Sequence, residues 1–262
     1  MIDIQSQKDE REIPLEKVGI KGLKYPLTVL DKEHKTQNTT VEADLYVNLP
    51  VHFKGTHMSR FIEVFHKHHQ KLSMPHFLEM LEEIRVSLQA AKAFAKLTFP
   101  YFLEKPAPVS GQKAVMSYIC TYEGSVEKNG SDIKKTFMVS VEVPVQTVCP
   151  CSKAISSRGA HNQRGRVKVT VQCGPFFWIE DLIDKVEKAA SIGLYSLLKR
   201  EDEKYVTEKA YDNPKFVEDI VRDVYLGIKE LGDFPFFSVE AENYESIHNH
   251  NAFAYTEFKK QE

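Results

Sequence analysis

Residues 131–173 read SDIKKTFMVSVEVPVQTVCPCSKAISSRGAHNQRGRVKVTVQC. Apolar and polar residues alternate at both ends of this stretch, which is typical of β-strands with one buried face. The sequence therefore predicts two strands that are joined by a polar loop. This loop, which we call the CPC loop (residues 148–161), contains Cys149, Cys151 and His161.

Two helices and two further strands are predicted after the CPC loop. Apolar stripes at helical spacing predict helices over residues 177–200 and 213–231, the second with Asn213 as its cap and Pro214 at its first position. Strands are predicted near residues 235–245 and 252–260. The second half of the chain therefore has the order ββααββ. We expect such a unit to form an antiparallel sheet with a pair of helices packed on one of its faces.

The first half of the chain repeats this order with little residue identity. Ser73 is the predicted cap of its second helix, with Pro75 in the first turn. The predicted elements are strands at 15–32 and 38–50, helices at 58–72 and 75–97, and strands near 97–107 and 114–126. A repeated order of elements indicates an internal duplication, so we expect an α+β fold of two similar units. The predicted bounds are an N-terminal arm at 1–14, a first unit at 15–128 and a second unit at 129–262, which carries most of the site motifs.

Composition and charge exclude several classes of protein. The chain has 262 residues, of which 42% are hydrophobic and 27% charged, as in ordinary globular proteins. A net charge of −2 argues against a bulk nucleic-acid or membrane binder. Neither an apolar N-terminal segment nor a bilayer-spanning apolar run is present, so we expect a soluble cytoplasmic protein whose four cysteines are thiols.

The residue types of the CPC loop suit a metal ion. Thiolates are good ligands for zinc or iron. His161 follows Cys149 by twelve residues and precedes the next strand, so both lie at one end of the sheet and can share a metal. In an extended segment Cys149 and Cys151 point the same way, unless the loop turns. The alternative is a free thiol pair beside a surface histidine.

Other segments add candidate ligands. His248 and His250 lie at the start of the last predicted strand, with a surface histidine pair as the equal alternative. The charged stretch before it contains Glu203, Glu208 and Glu218, and most charges of this stretch are expected on solvated faces, with Glu218 as the exception. Glu218 is in the first turn of a predicted helix, where the dipole favours an anion and where a carboxylate suits a nucleobase edge. Separately, the helix start KGTHMSRF (residues 54–61) combines a glycine turn with Arg60 and suits a phosphate, although a solvent-facing arginine is an equal alternative.

Four sequence blocks resemble the prokaryotic GTP cyclohydrolase type IB family. They are KGTHMSRF (54–61), CPCSKAISSRGAHNQRG (149–165), DEKYVTEKAYDNPKFVEDIVRDV (202–224) and ESIHNHNAFA (245–254). The resemblance covers nearly the whole chain. It implies a tunnelling fold, in which tandem ββααββ units join through their sheets into a barrel, with helix pairs on the outer face. It also implies a homotetramer with active sites at subunit interfaces.

The activity implied by the resemblance is the hydrolysis and rearrangement of GTP to 7,8-dihydroneopterin triphosphate and formate, the first step of folate biosynthesis. The implied cofactor is a divalent metal, and the mixed donor set permits zinc, manganese or iron. The metal-ligand positions fall on Cys149, His161, Glu203 and His248, and the catalytic positions on Cys149, Cys151 and Glu218. Glu218 also anchors the purine, and Arg60, Lys153, Arg164 and Arg166 are candidates for binding the triphosphate.

Three alternatives remain open from the sequence. A nitrile reductase of the same superfamily uses a cysteine and NADPH, but its cofactor block and a Gly-rich dinucleotide loop are not found here. An archaeal-type GTP cyclohydrolase yields a cyclic phosphate and differs in product mass. A metal or redox sensor built on the two cysteines would not need Glu218 or the phosphate-type blocks.

Overall fold

The computed structural model describes residues 5, 7, 9–51 and 53–261, so the predicted N-terminal arm lies partly outside the described residues. The chain forms two compact units. The first contains the residues up to Pro100 together with Thr121–Val139, and the second contains Tyr101–Cys120 and the residues from Ser140 onward. This division differs from the predicted boundary at 128/129, because three long strands each contribute to both units.

The described residues form nine strands and six helices, which confirms the α+β class. The strands are β1 Leu15–Asp31, β2 Lys35–Leu49, β3 Lys92–Pro106, β4 Lys113–Asn129, β5 Asp132–Val148, β6 Asn162–Gln172, β7 Ile192–Gly193, β8 Phe236–Asn243 and β9 Ala252–Lys259. The helices are α1 Met58–His68, α2 Met74–Ser87, α3 Pro150–Ile155, α4 Ile179–Ala189, α5 Arg200–Asp212 and α6 Val217–Leu231. The hydrogen-bonded strand order is β1-β2-β3-β4-β5-β6-β8-β9, with β7 paired to β5.

In the first unit, β1 and β2 form a long antiparallel hairpin and α1 and α2 supply the helix pair. The predicted cap Ser73 is confirmed, and Pro75 lies in the first turn of α2. The predicted end of this helix at residue 97 is wrong, because Gln89 has a φ of 53° and β3 begins at Lys92. The buried residues of β3 then recur at every second position, the period of a strand rather than of a helix.

In the second unit, β6 and β8 pair in antiparallel fashion and α4 and α6 pack on each other. The predicted helix at 177–200 is too long, since α4 ends at Ala189 and β7 pairs with β5 before α5 begins. Asn213 is the C-cap of α5 and not the N-cap of the next helix. Pro214 disfavours helical backbone in the residue before it, so α5 ends at its C-cap Asn213, and the N-cap of α6 is Phe216.

The buried faces of the second unit follow the predicted patterns. Val167, Val169 and Val171 of β6 are fully buried. The predicted apolar stripe of α6 is likewise buried, at Val217, Ile220, Val221, Val224 and Ile228. Among the described residues, every helix is too short or too polar to cross a bilayer.

Candidate active site

One end of the sheet in the second unit gathers most of the predicted site residues. Strand β5 ends there and β6 begins there, on either side of the CPC loop. Because β8 runs antiparallel to β6, and β9 to β8, the turn at residues 244–251 lies at the same end. The backbone N–H of Tyr244 donates to the carbonyl of Arg164 at 2.8 Å and joins this turn to the start of β6.

The CPC loop brings Cys149 and His161 together. The N–H of Cys149 donates to the carbonyl of His161 at 3.1 Å, and the N–H of His161 donates to Oγ of Ser152 at 3.2 Å. Cys149 is the N-cap of α3, and its Sγ accepts a hydrogen bond from the N–H of Ser152 at 3.4 Å. The loop is therefore a closed unit that fixes the backbone positions of a thiol and an imidazole.

The short helix α3 changes the relation between the two cysteines. Because the chain turns into a helix after Cys149, the two sulfurs do not follow the alternation of an extended strand, and the alternative in which the loop turns is the observed one. Cys151 is exposed on α3, whereas Cys149 is partly buried. Elsewhere, burial raises the pKa of the Cys173 thiol to about 12, and Cys120 is fully buried in the core.

The orientation of His161 is set by its neighbour Gln163. Nδ1 of His161 lies 3.0 Å from Oε1 of the buried Gln163 side chain. An amide oxygen only accepts hydrogen bonds, so Nδ1 is the donor of this pair, and in the neutral imidazole the lone pair is then on Nε2. This is the form in which a neutral histidine binds a metal ion.

Helix α5 presents Glu203 on the side of the CPC loop. Glu203, Val206 and Ala210 are spaced at i, i+3 and i+7 and share one helix face. Val206 and Ala210 pack in a cluster with Val148 and with Ala160 of the CPC loop. The exposed Glu203 carboxylate therefore lies one turn from a contact between α5 and the loop.

The neighbouring residue Asp202 fixes the start of α5. Its fully buried carboxylate accepts hydrogen bonds from the N–H groups of Val109, Ser110 and Lys199 at 2.8–2.9 Å and from the Ser110 hydroxyl at 2.6 Å. Burial acts to raise the pKa of Asp202, but the hydrogen bonds from Ser110, Lys199 and Val109 outweigh it and hold the pKa well below its usual range. Asp202 therefore has a structural role, whereas the carboxylate of the next residue, Glu203, is exposed.

Glu218 lies in a separate groove of the same unit. The N–H of Lys215 donates to the carbonyl of Val148 at 3.1 Å, which brings the start of α6 to the end of β5. Glu218, exposed in the first turn of α6, lines a groove of about 540 Å³. The groove also contains Val221, Arg222, Tyr225, Leu226 and residues 254–256 of β9.

A pocket of about 330 Å³ lies at the start of β6, at the residues that follow His161 in the chain, and the sequence did not predict most of its lining. Its residues are Gln146, Asn162, Gln163, Arg164, Gly193, Leu194, Tyr195, Leu198 and Val206. We call it the His161 pocket, since Gln163 belongs to both the pocket and the hydrogen bond that orients His161. Within the part of the chain that the structure describes, the pocket and the Glu218 groove have no lining residue in common.

His248 does not complete a metal site in the single chain. It is exposed in the turn at 244–251 and stacks on His250, with ring centroids 5.1 Å apart. Among the described residues, no three His, Cys, Asp or Glu side chains come close enough together to hold a metal ion. The donor types of the predicted set nevertheless fit zinc, iron or manganese, and Cys149 and His161 already adjoin.

The four basic candidates differ in their surroundings. Lys153, within the CPC loop, donates to the carbonyl of Tyr211 and lies 4.3 Å from the centre of its ring. Arg164 is exposed and lines the His161 pocket. Arg60 belongs to the first unit, where its Nη1 donates to the carbonyl of Ser87 at 2.6 Å.

Arg166, a predicted triphosphate ligand, is paired with carboxylates in the single chain. Its guanidinium lies 3.2 Å from Glu142, 3.2 Å from Glu240 and 3.5 Å from Glu242. Three carboxylates on the neighbouring strands β5 and β8 surround one cation, and an added phosphate would meet their repulsion. Arg166 is therefore part of a structural charge network on the sheet.

Solved structures of other proteins share the fold of this chain. The chain superposes on urate oxidase from Bacillus subtilis 168 with a TM-score of 0.52 and 8% identity, covering 93% of this chain and 98% of that one. Uricase from Arthrobacter globiformis gives a TM-score of 0.51 and 8% identity over 94% of each chain. At this identity the likeness concerns the fold alone, and it assigns the chain to the α+β architecture that these structures share.

Sequence comparison then identifies the family. A family model described as type I GTP cyclohydrolase folE2 matches residues 1–254. The GTP cyclohydrolase FolE2 of Syntrophus aciditrophicus is 55% identical over 257 residues, covering 98% of this chain and 99% of the relative. That of Thermosipho melanesiensis is 51% identical, covering 97% and 96%. The chain belongs to the type I GTP cyclohydrolase FolE2 family, and the family predicted from the four sequence blocks is confirmed.

Proposed function

We propose that this protein converts GTP and water to 7,8-dihydroneopterin triphosphate and formate, the first step of folate biosynthesis, in the cytoplasm. The observation that carries the proposal is the match to the GTP cyclohydrolase family over nearly the whole chain. The adjacency of Cys149 and His161 in a closed loop supports it, because a metal-dependent hydrolase needs fixed donors at one place.

Four residues of the chain would hold a divalent metal, which we propose to be zinc, manganese or iron. They are Cys149, His161, Glu203 and His248. When bound, the metal lowers the pKa of a coordinated water toward ~7 and polarises the substrate. Gln163 keeps the proton on Nδ1 of His161, and Asp202 fixes the first turn of the helix that carries Glu203.

The remaining residues bind the substrate and move protons. The two oxygens of the Glu218 carboxylate can accept hydrogen bonds from the N–H groups at the edge of guanine. The groove that Glu218 lines has a volume of about 540 Å³, in which a purine ring can be placed. The exposed thiol of Cys151 is the proposed group for proton transfer during ring opening and closure. Lys153 in the CPC loop and Arg164 just after it are the proposed triphosphate ligands. Arg166 is a less suitable candidate, because carboxylates already surround its guanidinium.

The oligomer that we propose is a homotetramer whose sheets join into a barrel, with active sites shared between subunits. Two observations support it. Strand β9 ends the hydrogen-bonded order of the described residues, and exposed Phe253 and Tyr255 lie along it, which is an edge suited to further strand pairing. Moreover, the groove that contains Glu218 and the His161 pocket are separate cavities in one chain. In an oligomer, Glu218 of one subunit can lie beside the His161 pocket of another.

The test of the proposed function is anaerobic incubation of the purified protein with GTP and manganese, iron or zinc in turn. We expect one formate per GTP, and a pterin product that becomes fluorescent on oxidation and has the mass of the linear triphosphate. A chelator and Cys149→Ala should each abolish turnover. The matched control Cys173→Ala, a partly buried cysteine of the same unit, should retain it.

Three results would contradict the proposal. A product with the mass of the cyclic phosphate would favour the archaeal-type reaction. Absence of formate from the metal-loaded protein would favour a non-catalytic sensor. Full turnover by Cys149→Ala would refute the role of the CPC loop.

A further inference from the structure

We propose that Tyr195 contacts the heterocycle of the substrate in the His161 pocket, and that Lys105 and Glu187 are positioning residues that hold Tyr195 in place. This inference rests on the proposed function. It concerns residues outside the four sequence blocks that indicate the family.

Lys105 and Glu187 form a largely buried ion pair behind one wall of the pocket. Nζ of Lys105 lies 2.6 Å from Oε2 of Glu187 and 2.8 Å from the carbonyl oxygen of Leu194. The exposed fractions of the two side chains are only 13% and 17%. The lysine therefore ties strand β3 and helix α4 to the segment that follows β7.

The pair is fully satisfied, as a buried charge requires. The hydroxyl of the buried Tyr118 donates to the second carboxylate oxygen of Glu187 at 3.0 Å. Burial and the neighbouring Glu187 charge raise the pKa of Tyr118, so it remains a donor. The carboxylate thus has a partner on each oxygen, and the segment at Leu194 is held against a rigid group.

Gly193 allows the ion pair to approach the backbone. It pairs with Val145 of β5, and a Cβ at this position would lie 2.9 Å from the carboxyl group of Glu187 and 2.9 Å from Nζ of Lys105. A side chain at this position would have to displace the ends of the Lys105 and Glu187 side chains, so glycine lets the pair lie against the backbone as it does. This close approach determines where Leu194 and Tyr195 meet the pocket.

Lys105 also occupies one face of the Tyr195 ring. Its Nζ lies 4.1 Å from the ring centroid, a cation–π contact that limits rotation of the ring. Tyr195 at the same time lines the His161 pocket, together with Gln163 and Arg164. An aromatic ring that is fixed from behind and faces a cavity is suited to stack on a planar heterocycle.

The position of the pocket specifies which part of GTP the ring would meet. Gln163 lines the pocket and bonds to His161, so one side chain joins the pocket to a proposed metal ligand, and we place the reacting end of GTP on that side. The reacting carbon belongs to the purine ring and must lie at the metal. Arg164 at the same pocket would face the phosphates. Tyr195 is accordingly assigned to the purine and not to the triphosphate.

The test compares Tyr195→Leu, which keeps apolar bulk without a ring, with Tyr195→Phe. The measurements are KM for GTP, inhibition by guanosine and the calorimetric dissociation constant of GTP, all on the metal-loaded protein. Tyr195→Leu should weaken GTP and guanosine by the same factor, about three- to tenfold, with kcat little changed. Tyr195→Phe should bind both within about twofold of the unchanged protein, because the stacking face is kept.

The positioning role has its own variants. Lys105→Met leaves the Glu187 charge buried and unpaired, so it should lower the melting temperature, and it should raise KM for GTP and the inhibition constant of guanosine together. The double variant Lys105→Met with Glu187→Gln removes both charges. It should recover thermal stability but keep the weaker binding, since Leu194 and Tyr195 are still released from Lys105.

The outcomes separate this inference from the proposed function. Unchanged guanosine and GTP binding in Tyr195→Leu, in a protein that releases formate from GTP, would overturn the role of Tyr195 alone. Weaker GTP with unchanged guanosine would assign Tyr195 to the phosphates and also overturn it. Recovered binding in the double variant would overturn the positioning role. A protein that neither binds nor converts GTP would contradict both proposals.

Discussion

The CPC loop and the turn at residues 244–251 lie at the same end of the sheet, yet they are held very differently. In the CPC loop, Cys149 and His161 are joined through backbone hydrogen bonds, and the imidazole is oriented by a buried side chain. In the turn, His248 is exposed and its described ring contact is to His250. One chain therefore pre-organises one half of the proposed donor set, and we infer that the metal or a second subunit orders the other half.

The largest loss of activity is expected when either of the two histidines is removed. His161→Ala and His248→Ala should each lower kcat/KM for GTP by about 10³-fold or more, because each removes a proposed metal donor. Only His161→Ala should also destabilise the fold, by about 1–3 kcal/mol, since it leaves the buried Gln163 oxygen without its partner. Steady-state kinetics and thermal melts of both variants measure the two effects. Full activity of His248→Ala would remove the turn from the site.

The adjacent carboxylates Asp202 and Glu203 give a second contrast. Asp202→Asn should lower the melting temperature by several degrees, because one carboxylate oxygen is replaced by an amide NH2 group that faces two of the four hydrogen-bond donors. Glu203→Gln should leave stability unchanged and lower kcat about 100-fold or more, since the exposed carboxylate is a proposed ligand. Melting curves and kcat for the pair decide the assignment. A stable, fully active Glu203→Gln protein would exclude Glu203 from the site.

A smaller effect is expected at the residue that orients His161. Gln163→Leu should weaken metal binding about 10–100-fold, the usual cost of losing the partner of a metal-bound histidine. Gln172→Leu, in the same strand but at its other end, is the matched control. Competition for zinc with a chelator of known affinity measures both. Equal metal affinity in the two variants would mean that Gln163 does not support the site.

The smallest effect distinguishes two arginines that the sequence treats alike. Arg164→Met should raise KM for GTP about tenfold, because it removes charge-assisted hydrogen bonds to phosphate. Arg166→Met should leave KM unchanged but lower the melting temperature, since three carboxylates lose their common cation. A larger rise in KM for Arg166→Met than for Arg164→Met would reverse this assignment.

The sequence predicted the family, the α+β class and most long elements, because these depend on local patterns. Alternation over β5 and β6 and the apolar stripe of α6 each extend over ten residues or more, which is enough for a period to be recognised. It failed at helix α5, whose buried residues are only Asp202 and Ala210 and form no apolar stripe, and at the shortest elements. Helix α3 has six residues and β7 has two, so neither shows a period.

The candidate site was predicted only as far as motif residues extend. Cys149, His161, Glu203, Glu218 and His248 belong to distinctive blocks, whereas Tyr195 and Lys105 do not. Lys105 and Glu187 are 82 positions apart, and only the folded chain brings them behind one wall of the pocket. The carboxylate partners of Arg166 are likewise brought to it by strand pairing, so its surroundings could not be predicted from the local sequence.

Cys149, in the closed CPC loop, is the residue that we propose to bind the metal that acts on GTP. Cobalt substitution tests this most directly, because a thiolate bound to Co²⁺ gives a ligand-to-metal charge-transfer band in the near ultraviolet. We predict that the band is present in the unchanged protein and in Cys151→Ala and is absent from Cys149→Ala. A band that persists in Cys149→Ala would contradict the account.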